Sequence, residues 1–242
     1  MTALEVRDVT VRFGGSTAVD HVTLSAEPAA VTGLIGPNGA GKTTLFNVIS
    51  GLQAPTTGQV LLDGRNITKL RPHQRGRLGL ARTFQRLELF TLLSVRSNVR
   101  VGAAIARHHR PGAGDPDVVA DAMLERVGLA GLADVRVDEL PTGQARLVEL
   151  ARAMATRPSV LLLDEPASGQ NDAETAAFAA LLRELAAEGM AVVLVEHDVH
   201  LVMDTCSHVV VLDFGQVLAD GTPDVVRRDE RVQAAYLGAV PG

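Results

Sequence analysis

The nine residues Gly36-Pro37-Asn38-Gly39-Ala40-Gly41-Lys42-Thr43-Thr44 fit the spacing GxxxxGK[ST]. Glycines at that spacing let the backbone turn tightly and aim successive N–H groups inward, forming a concave cradle for phosphate oxygens. Lys42 adds a positive charge, and Thr43, entering a helix, presents a hydroxyl suited to Mg2+. The helix N-terminus contributes unpaired N–H donors and about half a positive charge. Two further groups have the right chemistry. Asp164 and Glu165 end the apolar run Val160-Leu161-Leu162-Leu163, where one carboxylate can hold Mg2+ directly or through water and the next can polarise an attacking water. His197 follows a second apolar run, Ala191 to Val195, and its residue type fits either a place in that site or a satisfied structural histidine.

These groups need particular elements to bring them together. Ala30-Val31-Thr32-Gly33-Leu34-Ile35 reads as a buried strand and Thr44-Leu45-Phe46-Asn47-Val48-Ile49 as a helix, so strand, loop and helix come in the order a phosphate loop requires. The runs 160–164 and 191–195 read as central parallel strands, whose C-terminal edge is where such sheets carry their sites. Between them Asn171-Asp172 can cap a helix with the apolar face Phe178, Leu181, Leu182 and Leu185, and Gly189 stops it. The predicted crossover puts His197 at the same sheet edge as Asp164.

Residues 4–13 alternate apolar and polar with one slip at Arg7-Asp8, as a strand with a bulge would; Phe13 closes it, as a core residue or as a ring to stack on a base. Val22, Leu24 and Ala26 continue the alternation, and Gln59 to Gly64 reads as a strand ending in a turn. From 85 to 155 helical patterns predominate, with Leu147, Leu150, Ala151 and Met154 on one face of a helix over 143–155 and Arg146, Glu149 and Arg152 elsewhere around it. His108-His109 reads as part of a solvated loop running to Pro116, without further ligands for a metal. The basic run Arg71, His73, Arg75, Arg77, Arg82 and Arg86 reads as a solvated or partner-facing surface, because Phe84 is its only aromatic. His208 to Leu212 is strand-like, Gly215 marks a turn, and Thr222-Pro223 opens a last helix.

At 242 residues the chain is long enough for a large core, and its apolar stretches fall well short of the ~18 residues of a membrane span. Glu5, Arg7 and Asp8 interrupt the opening residues, so no leader is expected. The single Cys206 excludes an internal disulfide and reads as a small buried residue. A net charge of −5 argues against nucleic acid as the main partner.

In this order the motifs resemble the nucleotide-binding subunit of ATP-binding cassette (ABC) transporters over essentially the whole chain. Within that family the likeness is greatest to the LivG-type ATPases of branched-chain amino acid importers, through Leu34 to Asn47, Arg82-Thr83-Phe84-Gln85 and the closing Ala235-Tyr236-Leu237-Gly238; lipopolysaccharide-export ATPases are also similar. The resemblance implies an α/β fold: a P-loop NTPase (RecA-like) core with an N-terminal antiparallel β subdomain (1–84 and 156–242) and an inserted α-helical subdomain (85–155), together a single domain over 1–242.

The resemblance also implies ATP and Mg2+ as cofactors. Phe13 matches the aromatic that stacks on adenine, and Gly36, Asn38, Gly39, Ala40, Gly41, Lys42, Thr43 and Thr44 match the phosphate loop. Thr43, Gln85 and Asp164 match the residues around Mg2+, and Glu165, His197, Lys42 and Gln85 the catalytic set. Leu140-Pro141-Thr142-Gly143-Gln144 stands where the family has the signature LSGGQ, so the serine hydroxyl is missing while Leu140, Gly143 and Gln144 remain to meet the nucleotide of a second subunit. Gln170 stands where leucine is usual.

The expected partners are membrane-embedded permease subunits, a second ABC ATPase subunit with ATP at the interface and, indirectly, a solute-binding protein, with the chain cytoplasmic and peripheral on the inner face of the membrane. The expected function is an ATPase powering an importer of branched-chain amino acids or similar small polar solutes. Two alternatives are a soluble ABC ATPase acting on nucleic acid or ribosomes and a weakly hydrolysing regulatory subunit, the latter suggested by Pro141 and Gln170.

Overall fold

The computed structural model describes residues 2–237; Gly238 of the closing motif lies outside them. The chain opens with strands β1 (Leu4–Phe13), β2 (Ser16–Ala26) and β3 (Ala30–Ile35), then helix α1 (Lys42–Ser50) and strands β4 (Thr57–Leu62) and β5 (Arg65–Asn66). Helix α2 (Pro72–Leu78) and strand β6 (Leu80–Arg82) lead into helices α3 (Val95–His109), α4 (Pro116–Arg126) and α5 (Thr142–Ala155), which pack on one another. The remainder alternates: β7 (Val160–Asp164), α6 (Asp172–Ala187), β8 (Ala191–Val195), α7 (Val199–Thr205), β9 (His208–Asp213), β10 (Gln216–Gly221), α8 (Pro223–Arg228) and α9 (Glu230–Leu237).

The strands form two sheets. One is antiparallel, in the order β2-β1-β4-β5, and the other runs β10-β9-β3-β8-β7-β6, parallel except for its β9–β10 hairpin. The slip in β1 is a bulge, with the register to β4 breaking between Arg7 and Thr10 and Asp8 at φ 50°. Strands β7 and β8 are buried on both faces, as their unbroken apolar runs demand. Leu161, Leu163, Val192 and Leu194 enter a core shared with α3–α6, whereas Leu162, Val193 and Val195 enter a second core with α1 and the antiparallel sheet. Each such side chain contributes about 1.5–3 kcal/mol relative to exposure, so a one-residue slip would move every member to the wrong core.

That register aligns the strand ends. Val195 lies opposite both Leu34 and Asp164, and Ile35 opposite Val211. The loops after β3, β7 and β8 therefore leave from one edge of the sheet.

Two expectations need correction and a third gains detail. His108 and His109 form the last turn of α3 rather than a loop, where basic residues favour the helix dipole. The basic run contains α2 and β6, and Arg75 on α2 is 1% exposed. Arg146 and Glu149, which the sequence placed only off the apolar face of their helix, are buried, because α5 packs on two sides and its polar flank closes over residues 84–88.

Candidate active site

The loop between β3 and α1 closes around its own cation. Lys42 is buried, and its Nζ donates to the carbonyls of Gly36 at 2.5 Å and Pro37 at 2.9 Å. Burial lowers its pKa, and the carboxylates of Glu165 and Asp164 oppose that shift. Two glycines are required by space. A Cβ on Gly36 would stand 2.1 Å from the Leu212 carbonyl oxygen, and one on Gly41, at φ 104°, 2.6 Å from that of Ala18. No side chain caps α1 and its first turn carries no acid, so its N-terminal amides are left for an anion.

Glu165 leaves the end of β7 in the left-handed region, at φ 50°, held by its amide donating to the Val195 carbonyl at 2.9 Å. That conformation costs a non-glycine residue about 1–2 kcal/mol. It turns the side chain into a three-way contact: Oε1 lies 2.6 Å from His197 Nε2, and Oε2 accepts from Gln85 Nε2 at 3.0 Å. Gln85, Glu165 and His197 line a cavity of about 210 Å3 together with Ala18 and residues 38–44 of the loop.

Asp164 lies one residue deeper, 2% exposed. Burial raises its pKa, opposed by the Arg82 guanidinium, whose Nη2 is 2.9 Å from Oδ2. Its Oδ1 makes no hydrogen bond among the described residues. Thr43 is exposed at the start of α1. A threonine hydroxyl, an amide oxygen of Gln85 and a carboxylate are hard oxygen donors, the set that suits Mg2+ held partly by substrate phosphates.

The other sequence-predicted residues lie apart from this cluster. Phe13 ends β1 at 50% exposure, free to offer a ring face. Gly143 and Gln144 begin α5 and line a different cavity, of about 300 Å3, with Gln170, Glu174 and Phe178. Leu140 packs against the core beneath the three helices. The phosphate-loop cavity and the Gly143 cavity have no residue in common.

Two residues beside the site were not foreseen. Arg82 donates to Asn47 Oδ1 at 2.7 Å and Ser50 Oγ at 3.0 Å as well as to Asp164, and its guanidinium stacks between Phe46 and Phe84 at 5.5 and 4.9 Å from their ring centres. It thereby ties the phosphate-loop helix to the carboxylate strand. Glu196, 6% exposed, accepts from the amides of Ala167 at 2.9 Å and His197 at 3.1 Å, joining the loops that carry Glu165 and His197. Burial raises its pKa, and those two amides lower it. A carboxylate closing an apolar strand run was a readable signal for Glu196, the same one that singled out Asp164.

Residues 19–168 match the ABC transporter family model, and residues 216–240 that of branched-chain amino acid ATP-binding cassette transporters. The chain is 42% identical to the high-affinity branched-chain amino acid transport ATP-binding protein BraF of Pseudomonas aeruginosa, over 97% of each chain. It is 38% identical to the corresponding LivG protein of Escherichia coli, also over 97% of each. Its fold superposes on a nucleotide-free ATP-binding cassette from an ABC transporter with a TM-score of 0.88 at 30% identity, covering 98% of this chain and 99% of that one. An uncapped phosphate loop facing a Gln–Glu–His cluster, on a cassette fold matched along almost its whole length, places the chain in the ABC transporter family as a nucleotide-binding ATPase subunit.

Proposed function

We propose that the chain hydrolyses MgATP to power an importer of branched-chain amino acids or similar small polar solutes. The observation that carries the hydrolytic part is the contact of both Glu165 carboxylate oxygens with His197 and Gln85 at the mouth of the phosphate-loop cavity. In this reading Lys42 leaves the Gly36 and Pro37 carbonyls for the nucleotide's phosphates, joined by the amides of residues 38–44, while Phe13 stacks on the adenine. Thr43, Gln85 and Asp164 hold Mg2+, which when bound neutralises charge on the phosphates. His197 orients the water and contacts the γ-phosphate, and Glu165 accepts a proton from that water as its oxygen attacks phosphorus and the bond to the β-phosphate oxygen breaks, giving ADP and phosphate.

The amino acid assignment rests on what the relatives are named for transporting and on the match at residues 216–240. We read residues 85–155 as the helical subdomain and the rest as the core. The half-site at Leu140, Gly143 and Gln144 serves the nucleotide of a second ATPase subunit, a reading supported by the cavity that Gly143 and Gln144 line apart from the chain's own loop. The permease subunits dock on a groove of about 430 Å3 beside the Gln85 segment, lined by His73, Arg77, Phe90, Ile105, Arg110 and Arg152. Phe90 and Ile105 are half exposed there, which suits an apolar partner surface. The chain then works at the cytoplasmic face of the membrane, in a complex fed by a solute-binding protein.

The test is Glu165→Gln. Turnover is expected to fall by about 10²–10⁴ while ATP still binds, the range over which a positioned proton acceptor acts. Unchanged steady-state hydrolysis would refute the role given to Glu165.

A further inference from the structure

Residues 84–88 carry Gln85 past the site without regular secondary structure, yet four of their backbone groups are held by side chains of one helix. Arg146 Nη1 donates to the Phe84 carbonyl at 2.6 Å, and its Nη2 donates to the Gln85 carbonyl. Glu149 Oε1 accepts from the Glu88 amide at 2.8 Å. The two side chains are paired with each other at 3.1 Å and are 8% and 2% exposed. Arg152, a turn further on, donates to the Glu88 carbonyl and lies over the Phe90 ring. Burial raises the Glu149 pKa, opposed by the Glu88 amide and by Arg146 and Arg152.

A buried ion pair is a poor way to gain stability, since desolvation offsets most of the attraction. Its value here lies in what it grips. A guanidinium spreads its donors in a fixed plane, so Arg146 can fix two successive carbonyls relative to its own helix in a way that lysine cannot. That helix is α5, whose first turn carries Gly143.

We propose that Arg146 and Glu149 are positioning residues: they set the backbone around Gln85 so that its amide meets Glu165. This rests on the catalytic reading of Gln85 given above. Removing the pair leaves the phosphate loop intact, because neither side chain lines its cavity.

The experiment is a double-mutant cycle on the full chain, with ATP turnover and amide hydrogen exchange both measured. Glu149→Gln is expected to lower kcat about 10-fold, with KM for ATP within about twofold, the scale of a misplaced catalytic group. In a Gln85→Ala background the same change is expected to cost nothing further. Exchange at residues 84–88 is expected to speed up in Glu149→Gln whatever residue stands at 85, and Arg146→Lys is expected to give a weaker version of both effects without a loss of fold. Multiplying losses in the double variant, a rise in KM alone, or unchanged exchange at 84–88 would each overturn the inference. Full turnover in Gln85→Ala alone would instead remove the role of Gln85, and the exchange measurement would still decide whether the pair holds the segment.

Discussion

A buried guanidinium is tolerable only where acceptors await it, and Arg75 has four. Its nitrogens donate to the carbonyls of Val48 at 2.6 Å, Ile49 at 2.7 Å, Thr68 at 2.8 Å and Leu70 at 2.9 Å. The first two belong to the last turn of α1, whose carbonyls have no partner within the helix. Arg75 thus caps the far end of the helix that begins at the phosphate loop, at the price of a pKa that burial brings down to about 10. Arg75→Lys keeps the charge but cannot reach four acceptors in that fan. It is expected to destabilise the fold by about 2–4 kcal/mol in urea denaturation, with ATP binding less affected than stability. Arg75 and Arg82 read as surface charge in the sequence because a linear run of arginines records charge and not the carbonyls that fold toward it. The same limit hid Arg146 and Glu149: helical periodicity finds one apolar face, and α5 buries a second face that is polar.

At the level of elements, the pieces that carry the site were legible because their signals are local. Strands β7 and β8 are unbroken apolar runs ending at a carboxylate, β3 is apolar but for Thr32 and Gly33 and runs into Gly36, and α1 starts where the glycine spacing says it must. Strand β6 has only three residues and α2 seven with little apolar surface, so periodicity had nothing to detect. Helix α6 shows a local signal at full strength. Asn171 accepts from the Glu174 amide at 3.0 Å while Glu174 accepts from the Asn171 amide at 2.9 Å, a reciprocal cap. Asn171→Ala is expected to cost about 1 kcal/mol, read as a lower urea midpoint with an unchanged slope. Since Gly169 and Gln170 directly before this cap pack against Thr142 and Gly143, the variant is also expected to loosen amide exchange at the start of α5.

On the scale of the whole molecule, what matters is what a single chain leaves incomplete. The parallel sheet brings residues 36–44, Glu165 and His197 to one edge, but the uncapped start of α5 at Gly143 opens on a separate cavity. This helix N-terminus has no side-chain cap and no acid in its first turn, so its amides suit an anion. If that anion is the γ-phosphate held by a second subunit, a negative charge at Gly143 must spoil turnover without touching the chain's own nucleotide. A Cβ at this position makes ordinary contacts, with the Gln170 side chain at 3.4 Å, the Gly169 carbonyl oxygen at 3.5 Å and the Glu174 carboxylate at 3.7 Å, so Gly143→Asp is expected to fold, with a loss of stability from the like charge of Glu174 that a urea titration measures separately from turnover. Turnover in the assembled complex is expected to fall about 100-fold, the effect of losing donors to a developing negative charge. Binding of a fluorescent ATP analogue to the isolated variant is expected to stay within about twofold of the parent, because no residue of the phosphate-loop cavity has changed. Equal losses of binding and turnover would place Gly143 in the chain's own site and remove the argument for a shared one.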